Sequence, residues 1–475
     1  MIRNITRNLL SVAFGLLSLN VSAQTYDAQN ISLHANWNDS TIVAEPFYGI
    51  RYNGIWGWAD GLGREYALIG ATNGVHVVDV TNPTNPVRVD FVPGRRSGCI
   101  WREIKTYQNY AYLISDDNSP NSLQIIDLQY LPDSVSVVYD SDSLFERAHT
   151  LFVDGDRLYC GIVKGGLING QSSMSVYSLS NPVNPSFLRD LDTDFPTLLN
   201  NQQVHDMFVK NDTVYASCAF DGLFIFRYNP VGNNYTQLGS ITLYPQQGYN
   251  HSSALTADGN TLVFMDEVPT GLACKVMDVS DFSNLTITST FQSNVGPTPH
   301  NPFMVENTCY IAYYQDGLQV YDVSNPALPV RVGYFDTQYQ TPMGGPYTGQ
   351  SYSGAWGAYP YLPSGNVLVS DMQNGLYVLD VSQITTALNE VKEAQSLRIW
   401  PNPAEANGVV QIQLPEGVKG TFNYRLSDLS GRLMASGSFN GVRFELNTDE
   451  FSSGMYTISV ENQDGLRLIE KLMVR

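Results

Sequence analysis

One short pattern recurs along this chain, and its spacing limits the fold more than any other feature. It is clearest from His205: the apolar run Met207-Phe208-Val209, a turn at Lys210-Asn211-Asp212, the run Thr213 to Cys218, a turn at Asp221-Gly222, and Leu223 to Phe226. β-Branched and aromatic runs punctuated by Asn-Asp and Asp-Gly read as short antiparallel strands joined by tight turns. The frame returns at His149, His251 and His300, and with tryptophan in the leading position at Trp56, Trp101 and Trp356. The seven copies lie roughly 45 to 56 residues apart, the period of a β-propeller blade. The expected fold is all-β: a seven-bladed β-propeller, followed by a small C-terminal β-sandwich.

Each copy reads as four strands. After the third comes a turn signature, Asn82-Pro83-Thr84-Asn85-Pro86, repeated as Asn181 to Pro185 and Asn325 to Pro329. The second proline opens an outer edge strand, where no ladder donor is needed. The last copy has no fourth strand after Val381, whereas a spare strand, Asn30 to Ala35, precedes the first copy. The spare strand is expected to complete the last blade and close the ring, because an open ring leaves edges exposed.

Residues 1–23 read as a secretory signal peptide: Arg3 and Arg7, an apolar run from Leu9 to Leu19, and Val21-Ser22-Ala23 as the cleavage site. The run is too short to span a bilayer, and no other stretch approaches that length, so no transmembrane helix is expected in the mature chain. The chain carries 26 basic and 45 acidic residues. The segment from Gln395 onward is nearly balanced, with eight basic and nine acidic, so the carboxylate excess lies in the repeats. Such a surface repels phosphate backbones and excludes nucleic acid as a partner. Five cysteines, none in a C-x-x-C pair, sit mostly in apolar strand runs and are expected to be buried small hydrophobes, with a disulfide between two of them the alternative in an exported chain.

Val77-Val78-Asp79-Val80, Gln319 to Pro326 and Tyr377 to Val381 resemble the LVIVD repeat, and residues 24–388 are similar to the choice-of-anchor B propellers of secreted bacterial proteins. Ser178 and Tyr228 stand where the repeat carries Asp. After a linker, 389–395, the segment 396–475 opens with Leu397-Arg398-Ile399-Trp400-Pro401-Asn402-Pro403, continues through Leu429 to Leu433 and Gly454 to Val460, and closes on Lys471 to Arg475. It resembles the type IX secretion sorting domain of Bacteroidetes. That resemblance implies export to the periplasm and then across the outer membrane, recognition by the type IX machinery and its sorting protease, and surface attachment or release.

First strands of a propeller line its channel, so the leading residues Trp56, Trp101, His149, His205, His251, His300 and Trp356 are expected to form one ring. The turns between second and third strands hold Asp116, Asp266, Glu267 and Asp316 at the same end, and Arg102, Glu103 and Asp206 lie just inside. These residues are the candidate ligand contacts. Four of six histidines occupy the ring position, and neutral imidazole suits zinc, iron or copper, with manganese a further candidate where carboxylates join. His149, His205, His251 and His300 are therefore candidate ligands of one divalent metal, with Glu103 or Asp206 as a base acting on metal-bound water. The plainer account is that each histidine caps its strand beside a wet channel. Asp116 to Asn121 lacks the glycine and distal glutamate of an EF-hand loop, and neither a G-x-S-x-G nor an H-E-x-x-H motif occurs. Two functions are expected: first, a non-catalytic module binding a surface protein or glycan; second, a metal-dependent enzyme.

Overall fold

A computed structural model describes residues 26–200, 202–338, 345, 352–384, 397–415, 418, 420–428, 432–462 and 467–475. The expected signal peptide and the linker 389–395 lie outside them, as does most of the connection from Gln338 to Ser353. Among the described residues the protein is almost wholly β, with a short helix at Leu191–Asp194 and helical residues at 382–384.

Seven antiparallel sheets occupy the repeat region, each with a first strand that contains the leading position or starts just after it. Their first strands are Tyr52–Ala59, Arg102–Tyr107, Thr150–Asp154, Asp206–Lys210, Asn250–Leu255, Asn301–Val305 and Ala355–Tyr359. Consecutive first strands touch, and that of the seventh sheet touches that of the first. Middle strands such as Glu65–Ala71 and Leu123–Asp127 are buried along their whole length, as continuous apolar runs predict. Outer strands such as Thr286–Phe291 alternate exposed and half-buried residues. The hydrophobic clusters lie between neighbouring sheets. Tyr66, Leu68 and Val77 of the first pack with Ile104, Leu113 and Ile126 of the second, and Tyr52, Ile55 and Ala67 of the first pack with Leu368, Leu376 and Val378 of the seventh.

The spare N-terminal strand does join the last sheet: Ser32–Trp37 pairs with Gly375–Asp380. It reproduces the features of an ordinary fourth strand. The irregularity that breaks the register between Val320 and Tyr321 of the sixth sheet reappears between Leu33 and Ala35. Gly317, at φ +67, admits no side chain because a Cβ would lie 2.2 Å from the Phe335 carbonyl oxygen; Gly375, at φ +90, meets Trp37 in the same way at 2.4 Å. A second pairing was not expected. Ala28–Gln29 adds a fifth strand to the sixth sheet against Val330–Phe335, Asn30 turns at φ +57, and Ile31 is buried in the cluster between the sixth and seventh sheets.

The aspartate of the repeat has a local structural job. Asp79, Asp322 and Asp380 accept the backbone N–H two residues on, at 2.8–2.9 Å, and so bend the chain out of the third strand. Ser178 does the same through its hydroxyl, at 3.2 Å from Ser180 N. In the fourth sheet Asn229 takes the role beside Tyr228, accepting Val231 N at 3.0 Å. The pattern's departures thus preserve the turn.

All five cysteines are buried and unpaired by disulfides. The C-terminal region has a three-stranded and a four-stranded sheet that share one core of Val410, Ile412 and Leu446 with Phe422, Leu426 and Ile458.

Candidate functional site

The backbone places the histidines in equivalent positions. His149, His205 and His300 each donate their backbone N–H to a carbonyl of the adjacent second strand, Gly161, Ser217 and Ala312, at 2.7–3.0 Å. Equivalent placement on touching first strands brings the rings together as an arc: His149 to His205 4.2 Å between centroids, His205 to His251 4.4 Å, His251 to His300 4.3 Å, and His300 to Trp356 4.7 Å. Together with Trp101 they line a constriction of about 20 Å³.

This constriction separates two larger spaces. On the side of the turns between second and third strands lies a vestibule of about 360 Å³, walled by Trp101, Tyr249, Tyr314, Tyr352 and Trp356 and carrying Asp116, Arg147, Gln203 and Glu267. On the other side a cavity of about 200 Å³ collects Trp56, Phe152, Phe208, Phe303 and Tyr361 with Glu103, Lys105 and Asp206.

The candidates separate accordingly. Asp116 and Glu267 face the vestibule, as expected. Glu103 and Asp206 border the constriction but open to the opposite cavity, so the carboxylates are not gathered at one end. Trp56 is not a ring member: it lies mid-strand opposite Leu68, beyond an irregularity between Tyr52 and Ile55, and its Nε1 donates to Thr106 Oγ1 at 3.0 Å in the far cavity. Arg102 is 4% exposed and its guanidinium turns into the protein, donating to the Ala71 and Arg96 carbonyls at 2.8 and 2.6 Å. Asp266 is fully buried, paired with Lys275 Nζ at 2.5 Å and accepting from the Tyr244 hydroxyl at 2.7 Å. Asp316 is buried too and accepts from Ser293 Oγ and Asn294 Nδ2, tying the connection before its own sheet to the turn. These last three contribute to folding, not to the vestibule. The vestibule tyrosines and Arg147 were not anticipated, although Tyr249 and Arg147 each stand two residues before a leading histidine and so project to the same side of the chain.

The arc is electrostatically divided. Burial opposes charge on His149, but the Asp116 carboxylate, 2.7 Å from Nδ1, together with Glu103 and Asp206, outweighs it and raises the imidazole pKa. Burial, reinforced by the charge on His149, drives His205 and His300 down, His300 to about 3. His251 falls well below its ordinary value through burial and its three histidine neighbours. Burial and the neighbouring Glu103 push Asp206 up to about 6. The arc is therefore biased toward the charged form at its His149 end and toward neutral rings along the rest. Nδ1 of His205 faces the His251 carbonyl at 3.2 Å, and Nδ1 of His300 faces that of Trp356 at 2.6 Å. Both contacts put the proton on Nδ1 and leave Nε2 with its lone pair. The four rings do not meet at one metal centre. Among the described residues, the group whose ligand atoms all lie within 4.8 Å of one another is His205, His251 and Glu267.

Sheets stacked around an axis, with a narrow axial site, define a propeller-like all-β protein. A family model described as the LVIVD repeat matches residues 63–92 and 304–337, and one described as the secretion system C-terminal sorting domain matches residues 398–475. The chain thus carries LVIVD repeats ahead of a type IX sorting domain. That domain implies engagement with type IX secretion and a secreted or cell-surface location. No helix among the described residues is long and apolar enough to cross a membrane. No curated protein matches the chain. Among solved structures, the extracellular domain assigned to a hybrid two-component system of B. thetaiotaomicron aligns with a TM-score of 0.50 at 12% identity, over 94% of this chain and 57% of that one. The chain thus spans little more than half of that structure, and the likeness is one of fold. The computationally designed protein Ika8 aligns with a TM-score of 0.43 at 10% identity, over 91% of this chain and 99% of that one.

Proposed function

We propose that this chain is a secreted or surface-attached seven-bladed propeller that binds a glycan in its axial vestibule without transforming it. Seven sheets, with cores between neighbours and between the last and the first, support a ring of seven blades over residues 24–388. On this reading residues 1–23 are a signal peptide, the propeller is of the choice-of-anchor B type from a Bacteroidetes-like source, and residues 396–475 are a small β-sandwich that serves as the export address.

The observation that carries the ligand class is the wall of the vestibule. Three tyrosines and two tryptophans surround a few polar groups in a space of about 360 Å³, which suits sugar rings that stack on aromatic faces and hydrogen-bond at their edges. A binding role fits better than catalysis because the proposed bases face away: Glu103 is engaged by Lys105 at 3.3 Å and Asp206 by Thr150 at 2.9 Å, both on the far side of the arc. The test is glycan-array screening of the full chain followed by titration calorimetry. Tyr249→Ala and Trp101→Ala are each expected to weaken the identified glycan at least tenfold. Unchanged affinity in both variants, or capture of surface protein with no glycan bound, would overturn the assignment.

A further inference from the structure

We propose that His205, His251 and Glu267 form a site for one divalent first-row transition-metal ion of the zinc class, at the floor of the vestibule. Two imidazoles and one carboxylate are a donor set that zinc accepts while keeping coordination positions open. The three ligand atoms lie within 4.8 Å of one another, and neighbouring groups hold Glu267 and His205 in place. Tyr314 donates to Oε1 of Glu267 at 2.8 Å, which leaves Oε2 turned to the arc. Oε2 is 3.8 Å from His251 Nε2. That distance exceeds a hydrogen bond and matches two ligands spanning one ion with bonds of about 2.0–2.2 Å.

The carbonyl of His251 fixes the proton of His205 on Nδ1, so Nε2 is the free donor; supporting contacts of this kind orient metal ligands in general. His251 is 4% exposed and presents Nε2 to Oε2 of Glu267, so that nitrogen is the one an ion would take. Nδ1 of His149 is engaged by Asp116 and that of His300 by the Trp356 carbonyl. What selects the two middle rings is distance: among the described residues, theirs are the imidazoles whose ligand atoms lie within 4.8 Å of each other and of Glu267. The remaining coordination positions open to the vestibule, where a sugar hydroxyl or water can enter.

The inference does not depend on the identity of the vestibule ligand, and its test needs none. Full-length protein made without a histidine tag is loaded with zinc, dialysed and assayed for metal, in parallel with calcium and magnesium. One zinc per chain and no retained calcium or magnesium is the expected result. His205→Ala and His251→Ala should lose the zinc, Glu267→Gln should bind it at least tenfold more weakly, and His149→Ala should keep it. Cobalt substitution supplies a second readout: visible absorption bands present in the wild type and absent in His251→Ala. Zinc should also raise the melting temperature of the wild type by several degrees, and leave that of His251→Ala unchanged. Metal-free wild-type protein after loading would overturn the site. So would a His205→Ala/His251→Ala double variant that folds and retains the full complement of zinc. Failure of glycan binding with zinc present would count against the binding reading alone.

Discussion

The side chains of one arc titrate in opposite directions, which makes pH a residue-scale probe of the site. The His149 pKa is raised, so its contribution to stability is fully present below about 6.5, the unfolded value, and is lost as pH rises through the higher folded value. Its partner is Asp116, 2.7 Å away. Asp116→Asn should therefore destabilise the protein more at pH 5.5 than at pH 9, by on the order of 1.5–3 kcal/mol, the range for hydrogen bonds to charged groups. Thermal melts of wild type and variant across that range provide the check, and equal losses at both pH values would show that the pair carries no charge-dependent stabilisation. His205, His251 and His300 run the other way. Buried neutral rings must charge on unfolding in acid, so their contribution falls as pH drops below about 6.5, for His300 down to about 3.

At the scale of elements, the N-terminal segment is unusual in tying together two sheets. Ser32–Trp37 completes the seventh and Ala28–Gln29 extends the sixth, with Ile31 buried between them. Its hydrogen bonds join residues more than 300 positions apart: Asn30 Nδ2 donates to the Val332 carbonyl at 2.8 Å. Deleting residues 28–37 removes both pairings and uncovers Leu379 and Ile384. The melting temperature is expected to fall by ten degrees or more, whereas Ile31→Ala alone should cost about 2–4 kcal/mol, as for other buried large-to-small changes. Calorimetry of both variants tests this, and an unchanged transition after the deletion would show that the ring does not depend on this segment. The repeat aspartates belong to the same scale. They hold turns, so their loss weakens one corner and leaves the axial site intact.

For the molecule as a whole, the division of labour follows from where the cores lie. The C-terminal core contains residues from Leu397 to Val474 and none from the repeats. The repeat clusters, in turn, include none from the tail. A chain ending at residue 388 should therefore fold, with far-UV circular dichroism and a melting transition close to those of the full chain. In the producing cell the same chain should accumulate inside the envelope. Normal delivery of that truncated chain to the surface, followed by fractionation and immunoblotting, would show that the tail is not the address.

The number of repeats, the strand order within each and the spare strand were legible because they rest on local chemistry. Apolar runs, Asn-Pro and Asp-Gly turns and an aspartate that bends the chain all act within a few residues. Histidines at one repeat position had to become neighbours once first strands touched, and they did. What sequence could not decide was how far along the axis a side chain sits and which partner it finds. Trp56 leads its copy in the same way as Trp101, yet an irregular register in its strand carries it into the other cavity. Asp266 and Glu267 are consecutive in one turn and alike in charge. One is consumed by Lys275, which arrives from the next strand at 2.5 Å, while the other is held by Tyr314 of the following sheet beside His251. Adjacent residues in an extended chain point to opposite sides, and only the packing of neighbouring sheets determines what waits on each side.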